Sequence, residues 1–275
     1  MERDFIAADA IRETLRAGGW DVVDSSTGSE LQAFKAQATD GPKAQPRAVT
    51  LLTVVHGWQP DAERWLLSVF THTKADFEAV VVDNSGDARI AGWMKTRVAD
   101  RLRVVSLNPP LGFGAAADAG IEAAAGDTVV LFDPGVELEG DAVTELLATL
   151  SDPAVVLVGP FGLRAKGTMK EFEESEGPDV DAIEGYCMAF RRSDALAIGG
   201  FDPKFRFYRM ADVEFSFRMR EHGGRAVVIH GLPVVRHEHR LWESTEPQER
   251  DRLSRRNTYR FLDRWRERED LLVGQ

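Results

Sequence analysis

From residue 48 onward the chain alternates between apolar runs and helical spacing of apolar positions. Residues 49–55 form an apolar run flanked by turn residues, the pattern of a strand buried on both faces. Residues 61–73 then carry Trp65, Leu66, Val69 and Phe70 at helical spacing. The same reading predicts strands over 77–82, 102–107, 128–132 and 154–158, with helices over 88–98, 113–125 and 142–150 between them. Strands that alternate with helices of this length imply right-handed crossovers and a mainly parallel sheet with helices on both faces, an α/β fold. Ligands of such sheets gather beyond the carboxyl ends of the strands. His56, Asp83 and Asp133 therefore fall in one crevice.

The rhythm differs at both ends. Residues 1–46 hold a short helical pattern over 8–17 and then Gly, Ser, Thr and Gln with few large apolar residues, which reads as an appendage. After Gly159 the stretch 162–179 is rich in Gly, Lys and Glu and long enough to be a mobile loop over a site. A strand over 186–191, a helix over 211–221 and a strand over 225–229 follow. The tail, 248–268, is predicted to be a helix with apolar Leu253, Tyr259, Phe261, Leu262 and Trp265. The chain thus divides into 1–46, a main domain over 47–245 with halves 47–160 and 161–245, and a C-terminal segment 246–275.

Composition narrows the function classes. With 34 Lys+Arg against 45 Asp+Glu the formal charge is −11, which argues against a general nucleic-acid binder, since phosphate backbones call for clustered positive charge. Cys187 is the one cysteine, so no intrachain disulfide forms, and a reducing cytoplasm is the expected home. Residues 1–20 lack the apolar core of a signal peptide, and no stretch approaches the roughly 18 apolar residues of a membrane span. The tail counters the acidic balance: residues 250–268 hold eight Arg against Asp251, Asp263 and Glu267. Most of that charge reads as a salt-bridged exposed face, and a peripheral contact with the inner membrane surface, or with a phosphate-bearing acceptor, stays open.

Chemistry enters through an ordered set of short motifs. Val80-Val81-Val82-Asp83-Asn84-Ser85 is followed by Asn108, Leu111-Gly112-Phe113-Gly114, Gly126-Asp127 and Leu131-Phe132-Asp133-Pro134-Gly135-Val136-Glu137. Gly199-Gly200-Phe201-Asp202, Ala211-Asp212-Val213-Glu214 and His237 complete the series. Gly112-Phe113-Gly114 alone is a weak dinucleotide signal, because the third glycine is missing. Taken in order and spacing, the set resembles glycosyltransferase family two, including its rhamnosyltransferase-like members, over about residues 48–239.

The resemblance implies a GT-A, Rossmann-like fold and transfer of a hexosyl or deoxyhexosyl group from a nucleotide diphosphate sugar to an acceptor hydroxyl, with inversion. The acceptor is left open between a glycan, a lipid-linked molecule and a small molecule. On this reading Asp83 contacts the nucleobase, although Asp83-Asn84 would equally serve as a turn-forming pair. His56 and Asn84, with Gly112 and Phe113, border the donor. Asp133 lies on the ribose and diphosphate side, and Asp212 is the general base. Its alternative is a helix N-terminal carboxylate favoured by the macrodipole. In the family a divalent cation, Mn²⁺ or Mg²⁺, bridges the diphosphate through an Asp-x-Asp element and a later histidine, here Asp133 and His237. Gly135 stands in place of the second carboxylate, which puts that cation in doubt. The Glu usually preceding the base is likewise replaced, by Ala211. Both losses together motivate a second reading, a catalytically degenerate GT-A domain that binds nucleotide or sugar as a scaffold.

Overall fold

The computed structural model describes residues 20–25, 28–33, 39–40, 47–97 and 99–274; the helix expected over 8–17 lies outside them. A hairpin of β1 (Trp20–Ser25) and β2 (Gly28–Ala33) precedes β3 (Thr39–Asp40). The regular alternation then runs β4 (Arg47–Val55), α1 (Gln59–His72), β5 (Phe77–Asp83), α2 (Ala88–Lys95), β6 (Leu102–Ser106), α3 (Phe113–Ala123) and β7 (Gly126–Phe132). It continues with β8 (Val136–Leu138), α4 (Val143–Leu150) and β9 (Val155–Gly159). The later part contains β10 (Gly162–Ala165), β11 (Phe172–Ser175), β12 (Asp179–Val180), β13 (Ala182–Ile183), β14 (Cys187–Arg191), α5 (Arg192–Ala197) and α6 (Ala211–Arg220). Then come β15 (Arg225–Val228), β16 (Val234–Arg236), α7 (Arg240–Ser244) and α8 (Pro247–Trp265).

Nine strands form the central sheet in the order β12-β15-β9-β14-β7-β4-β5-β6-β3. The run β7-β4-β5-β6 is parallel, and β14 inserts antiparallel between β7 and β9. All seven residues of β5 are buried, as a strand covered on both faces requires. Alternate residues feed two cores. Leu52, Val80 and Val82 face Ala116, Ala117 and Ile121 of α3, in the layer that also holds Phe215, Phe217, Phe261 and Trp265. Leu51, Val55 and Val81 face Trp65 and Val69 of α1 and Met94 of α2.

Two expectations need correction. The stretch 162–179 is not an irregular loop: β10 and β11 pair antiparallel from Gly162↔Ser175 to Ala165↔Phe172, and β13 pairs with the other side of β10. Within the region read as an appendage, β3 pairs antiparallel with β6 and so extends the main sheet. The tail helix packs its aromatic side on the domain: Phe261 and Trp265 are buried in the core that α3 and α6 share.

Candidate active site

The parallel strands β4, β5 and β7 end side by side; Asp83 is the last residue of β5, and His56 and Asp133 follow directly on β4 and β7. A cavity of about 1040 Å³ opens there. His56, Phe113 and Asp133 line it from the first half of the chain, and Glu184, Tyr208, Asp212 and His239 from the second. The backbone is bent to reach this arrangement: Trp58, two residues after His56, has φ 53°, and Met210, two before Asp212, has φ 68°. Left-handed conformations of non-glycine residues are costly and collect at functional sites.

Loss of water dominates the electrostatics. Burial lowers His56 to about 4, with His239 adding to the effect. Its Nδ1 accepts from Asn84 Nδ2 at 3.2 Å, so the proton resides on Nε2, which is buried without a partner. Burial raises Asp133, while His239 and the Gly135 N–H oppose the rise. Asp133 Oδ1 accepts the Gly135 N–H at 2.7 Å and Oδ2 lies 3.3 Å from His239 Nε2. The His239 ring stacks on Tyr208 at 3.8 Å between centroids.

Across the cavity, Asp212 sits in the first turn of α6. Its Oδ2 accepts the Gly185 N–H at 3.0 Å and its Oδ1 the Val213 N–H at 2.9 Å. Burial raises its pKa, against those two bonds and Arg209. Glu184 is the carboxylate beside it: burial and the Asp212 charge push it up to about 7. Its Oε2 lies 3.4 Å from Arg236, and its Oε1 is buried with no hydrogen-bond partner.

Four predicted residues, His56, Phe113, Asp133 and Asp212, thus meet at one cavity. Asp83 and Asn84 do not line it. Asp83 Oδ1 accepts from the Ser85 hydroxyl at 2.6 Å and amide at 3.1 Å. Asn84 exchanges hydrogen bonds with the Leu111 backbone, at 2.7 and 2.9 Å, and so ties the strand end to the turn that starts α3. Gly112 permits a close backbone approach, since a Cβ there would lie 2.8 Å from Arg206 Cα. The Phe113 and Gly114 N–H groups are spent on the Arg206 and Phe205 carbonyls. This helix start is therefore not a free phosphate cradle.

His237 is the correction within the site. Expected beside Asp133, it instead bonds Glu137 at 2.8 Å through Nε2, because the chain leaves extended conformation after Arg236. His239 takes the place opposite Asp133. Gly135 also acquires a reason: a Cβ there would lie 2.8 Å from Asp133 Oδ1 and 3.0 Å from the Glu238 carbonyl. Sequence reading missed Glu184 and His239 as site residues. An acid before a glycine and the second histidine of His-Glu-His were the available signals.

Comparison with known proteins adds the family. The model described as Glycosyl transferase family 2 matches residues 51–216. No curated protein matches the chain. Among solved structures, GalNAc-T7 with UDP, GalNAc and Mn²⁺ is similar at 16% identity and TM-score 0.65, over 82% of this chain and 50% of that one. The mannosyltransferase PcManGT from Pyrobaculum calidifontis, in complex with GDP-Man and Mn²⁺, is similar at 19% identity and TM-score 0.54, over 70% and 57%. Residues 1–349 of S. aureus TarS are similar at 14% identity and TM-score 0.53, over 82% and 75%. The chain spans half of the GalNAc-T7 structure and somewhat more of the mannosyltransferase. These likenesses establish a GT-A fold.

Proposed function

The chain belongs to glycosyl transferase family 2, and from that premise we propose that it moves a sugar from a nucleoside diphosphate donor to an acceptor hydroxyl, inverting the anomeric carbon, with Asp212 as general base. The observation that carries this reading is the convergence of Asp133 and Asp212 on one cavity from the two halves of the chain. Donor groups sit on the wall of His56, Phe113 and Asp133, where the unpartnered His56 Nε2–H is a ready donor to a base or ribose oxygen. The acceptor O–H faces Asp212. As the acceptor oxygen bonds to the anomeric carbon, the bond to the diphosphate breaks and the proton passes to the Asp212 carboxylate. A carboxylate raised by burial is a stronger proton acceptor than one in water.

The residues present fit a divalent cation. Asp133 Oδ2 and His239 Nε2 face each other at 3.3 Å on the cavity wall, and the chemistry of one carboxylate and one imidazole suits Mn²⁺ better than Mg²⁺. Among the described residues no group of three or more His, Cys, Asp or Glu is placed to hold a metal, so donor oxygens would complete the shell. Such an ion supplies countercharge to the departing diphosphate. Gly135 contributes no ligand, and this observation favours the second reading, a non-catalytic nucleotide-binding module.

One experiment separates the two. Thermal midpoints are measured with a panel of nucleoside diphosphates, each with and without Mn²⁺, and turnover of the matching nucleotide sugars is measured for wild type and Asp212→Asn. A transferase shows a midpoint rise with one nucleobase and loses about 100-fold or more in turnover on substitution of its base, with donor binding retained. A binding module gives the midpoint rise with no turnover in either protein.

A further inference from the structure

The mouth of the cavity carries an excess of positive charge, with Asp251 on its rim and Glu249 near Arg256. α8 brings Arg255 and Tyr259 to the cavity wall, and the outer side of the same helix forms a groove of about 540 Å³ lined by Gln248, Asp251, Arg252, Arg255, Arg256 and Tyr259. Asp251, Arg255 and Tyr259 border both, so groove and cavity share a rim. Many arginines elsewhere are matched to carboxylates, as in Arg47–Asp76, Arg218–Glu214 and Arg240–Asp61, and others, such as Arg164, Arg192 and Arg260, are spent on backbone carbonyls. In the groove only Arg252 is matched, to Glu249 at 2.6 Å. Among the described residues the guanidinium groups of Arg255 and Arg256 have no ion pair, and Arg256 Nε is buried with no hydrogen-bond partner. Arg252, Arg256 and Arg260 recur one turn apart, an arrangement of like charges that weakens a helix. Partial burial, with Arg260, Arg252 and Arg206, pulls Arg256 below its ordinary value. A helix that keeps such repulsion, in a chain of net charge −11, is at odds with its own stability, and such local conflicts mark functional sites.

The groove lies on the acceptor side. Asn257, fully buried, donates to the Phe207 and Arg209 carbonyls at 2.8 Å each, which clamps α8 onto the segment leading into Asp212. Guanidinium forks match the oxygens of a phosphoryl group in charge and geometry. We propose that the α8 groove is an anion subsite, centred on Arg255 and Arg256, that holds a phosphoryl group of the acceptor while the acceptor hydroxyl reaches Asp212. The subsite rests on the transferase reading above for its role. Asp251 on the shared rim repels an anion that strays toward the carboxylates of the cavity.

The test uses the full chain and inorganic phosphate as probe, titrated by calorimetry at constant ionic strength with no donor present, so the result does not depend on turnover. Arg255→Gln/Arg256→Gln is expected to lose about tenfold or more in phosphate affinity. Arg255→Lys/Arg256→Lys keeps the charge but not the fork and is expected to recover only part of it, with circular dichroism confirming that both fold. Equal affinity in wild type and the Gln variant, or no binding by wild type, overturns the subsite. Cosedimentation with vesicles of phosphatidylglycerol and phosphatidylcholine in equal parts identifies the source of the phosphate. Vesicle binding that inorganic phosphate competes away supports a lipid-borne group, and phosphate binding without cosedimentation supports a soluble acceptor. Vesicle binding that phosphate leaves untouched overturns the proposal, because it reports a diffuse surface contact.

Discussion

At His56 the loss of water decides the protonation state, and with it a pH dependence. The folded value of about 4 lies below the ordinary 6.5, so the folded chain binds fewer protons than the unfolded one between these values. The stability from this residue is complete above pH 6.5 and drains away as the pH falls toward 4. In His56→Gln, whose side-chain oxygen still accepts from Asn84, thermal midpoints measured across that window are expected to fall less steeply than in wild type. Glu184 moves the opposite way, up to about 7, in part through the Asp212 charge. Two carboxylates that repel each other raise each other's proton affinity. Glu184→Gln is therefore expected to shift the acid limb of kcat/KM to lower pH, and a pH–rate profile checks this against a merely structural role, which would lower the rate without moving the limb. Asp133 and Asp212 were legible in the sequence because each sits in a motif at a strand end or helix start. Glu184 was not, because its neighbours Asp212 and Arg236 lie far along the chain and only the folded backbone brings them to it.

Between residue and molecule, the strap from β16 to α7 explains why the Asp-x-Asp element is broken. β16 pairs antiparallel with β8, the His237 N–H donates to the Gly135 carbonyl at 2.8 Å, and Arg240 binds buried Asp61 at 2.7 Å. The strap is thus fixed at both ends, and the Glu238 carbonyl fills the space that a side chain at 135 would need. Restoring the family's carboxylate by Gly135→Asp is expected to destabilise the chain by about 1–3 kcal/mol, read by denaturant unfolding, with no gain in Mn²⁺ binding by titration. Strong apolar periodicity made the long elements legible: β4, β5, α3 and α8 lie within a few residues of their expected bounds. β8 and β16 have three residues each, too few for an alternation to register. The β10–β11 hairpin failed for another reason. Its strands are largely half-buried or exposed, and their Arg and Glu mask the period-two signal.

For the molecule as a whole, the alternation of strands and helices was enough to place the crevice, because a parallel sheet leaves its ligand site little choice of location. What that alternation did not reveal is how the far end of the chain supports the site. Trp265, 1% exposed, packs against Phe217 of α6 at 5.6 Å between centroids, and Phe261 meets the same ring at 5.1 Å. α6 begins with Ala211-Asp212, so the aromatic cluster that seats α8 also seats the helix that presents the proposed base. Trp265→Ala removes the largest side chain of that cluster. The cost expected is about 3–5 kcal/mol, read from denaturant midpoints at unchanged slope. The cluster and the Asn257 clamp hold the same two elements together, so a second consequence follows. If α8 acted only as a surface cover, nucleotide binding would stay the same once the variant is kept folded at low temperature and acceptor turnover would stay with it. Because α8 instead fixes the approach to Asp212, the variant is expected to keep donor affinity while acceptor KM rises, a split that steady-state kinetics with varied acceptor resolves.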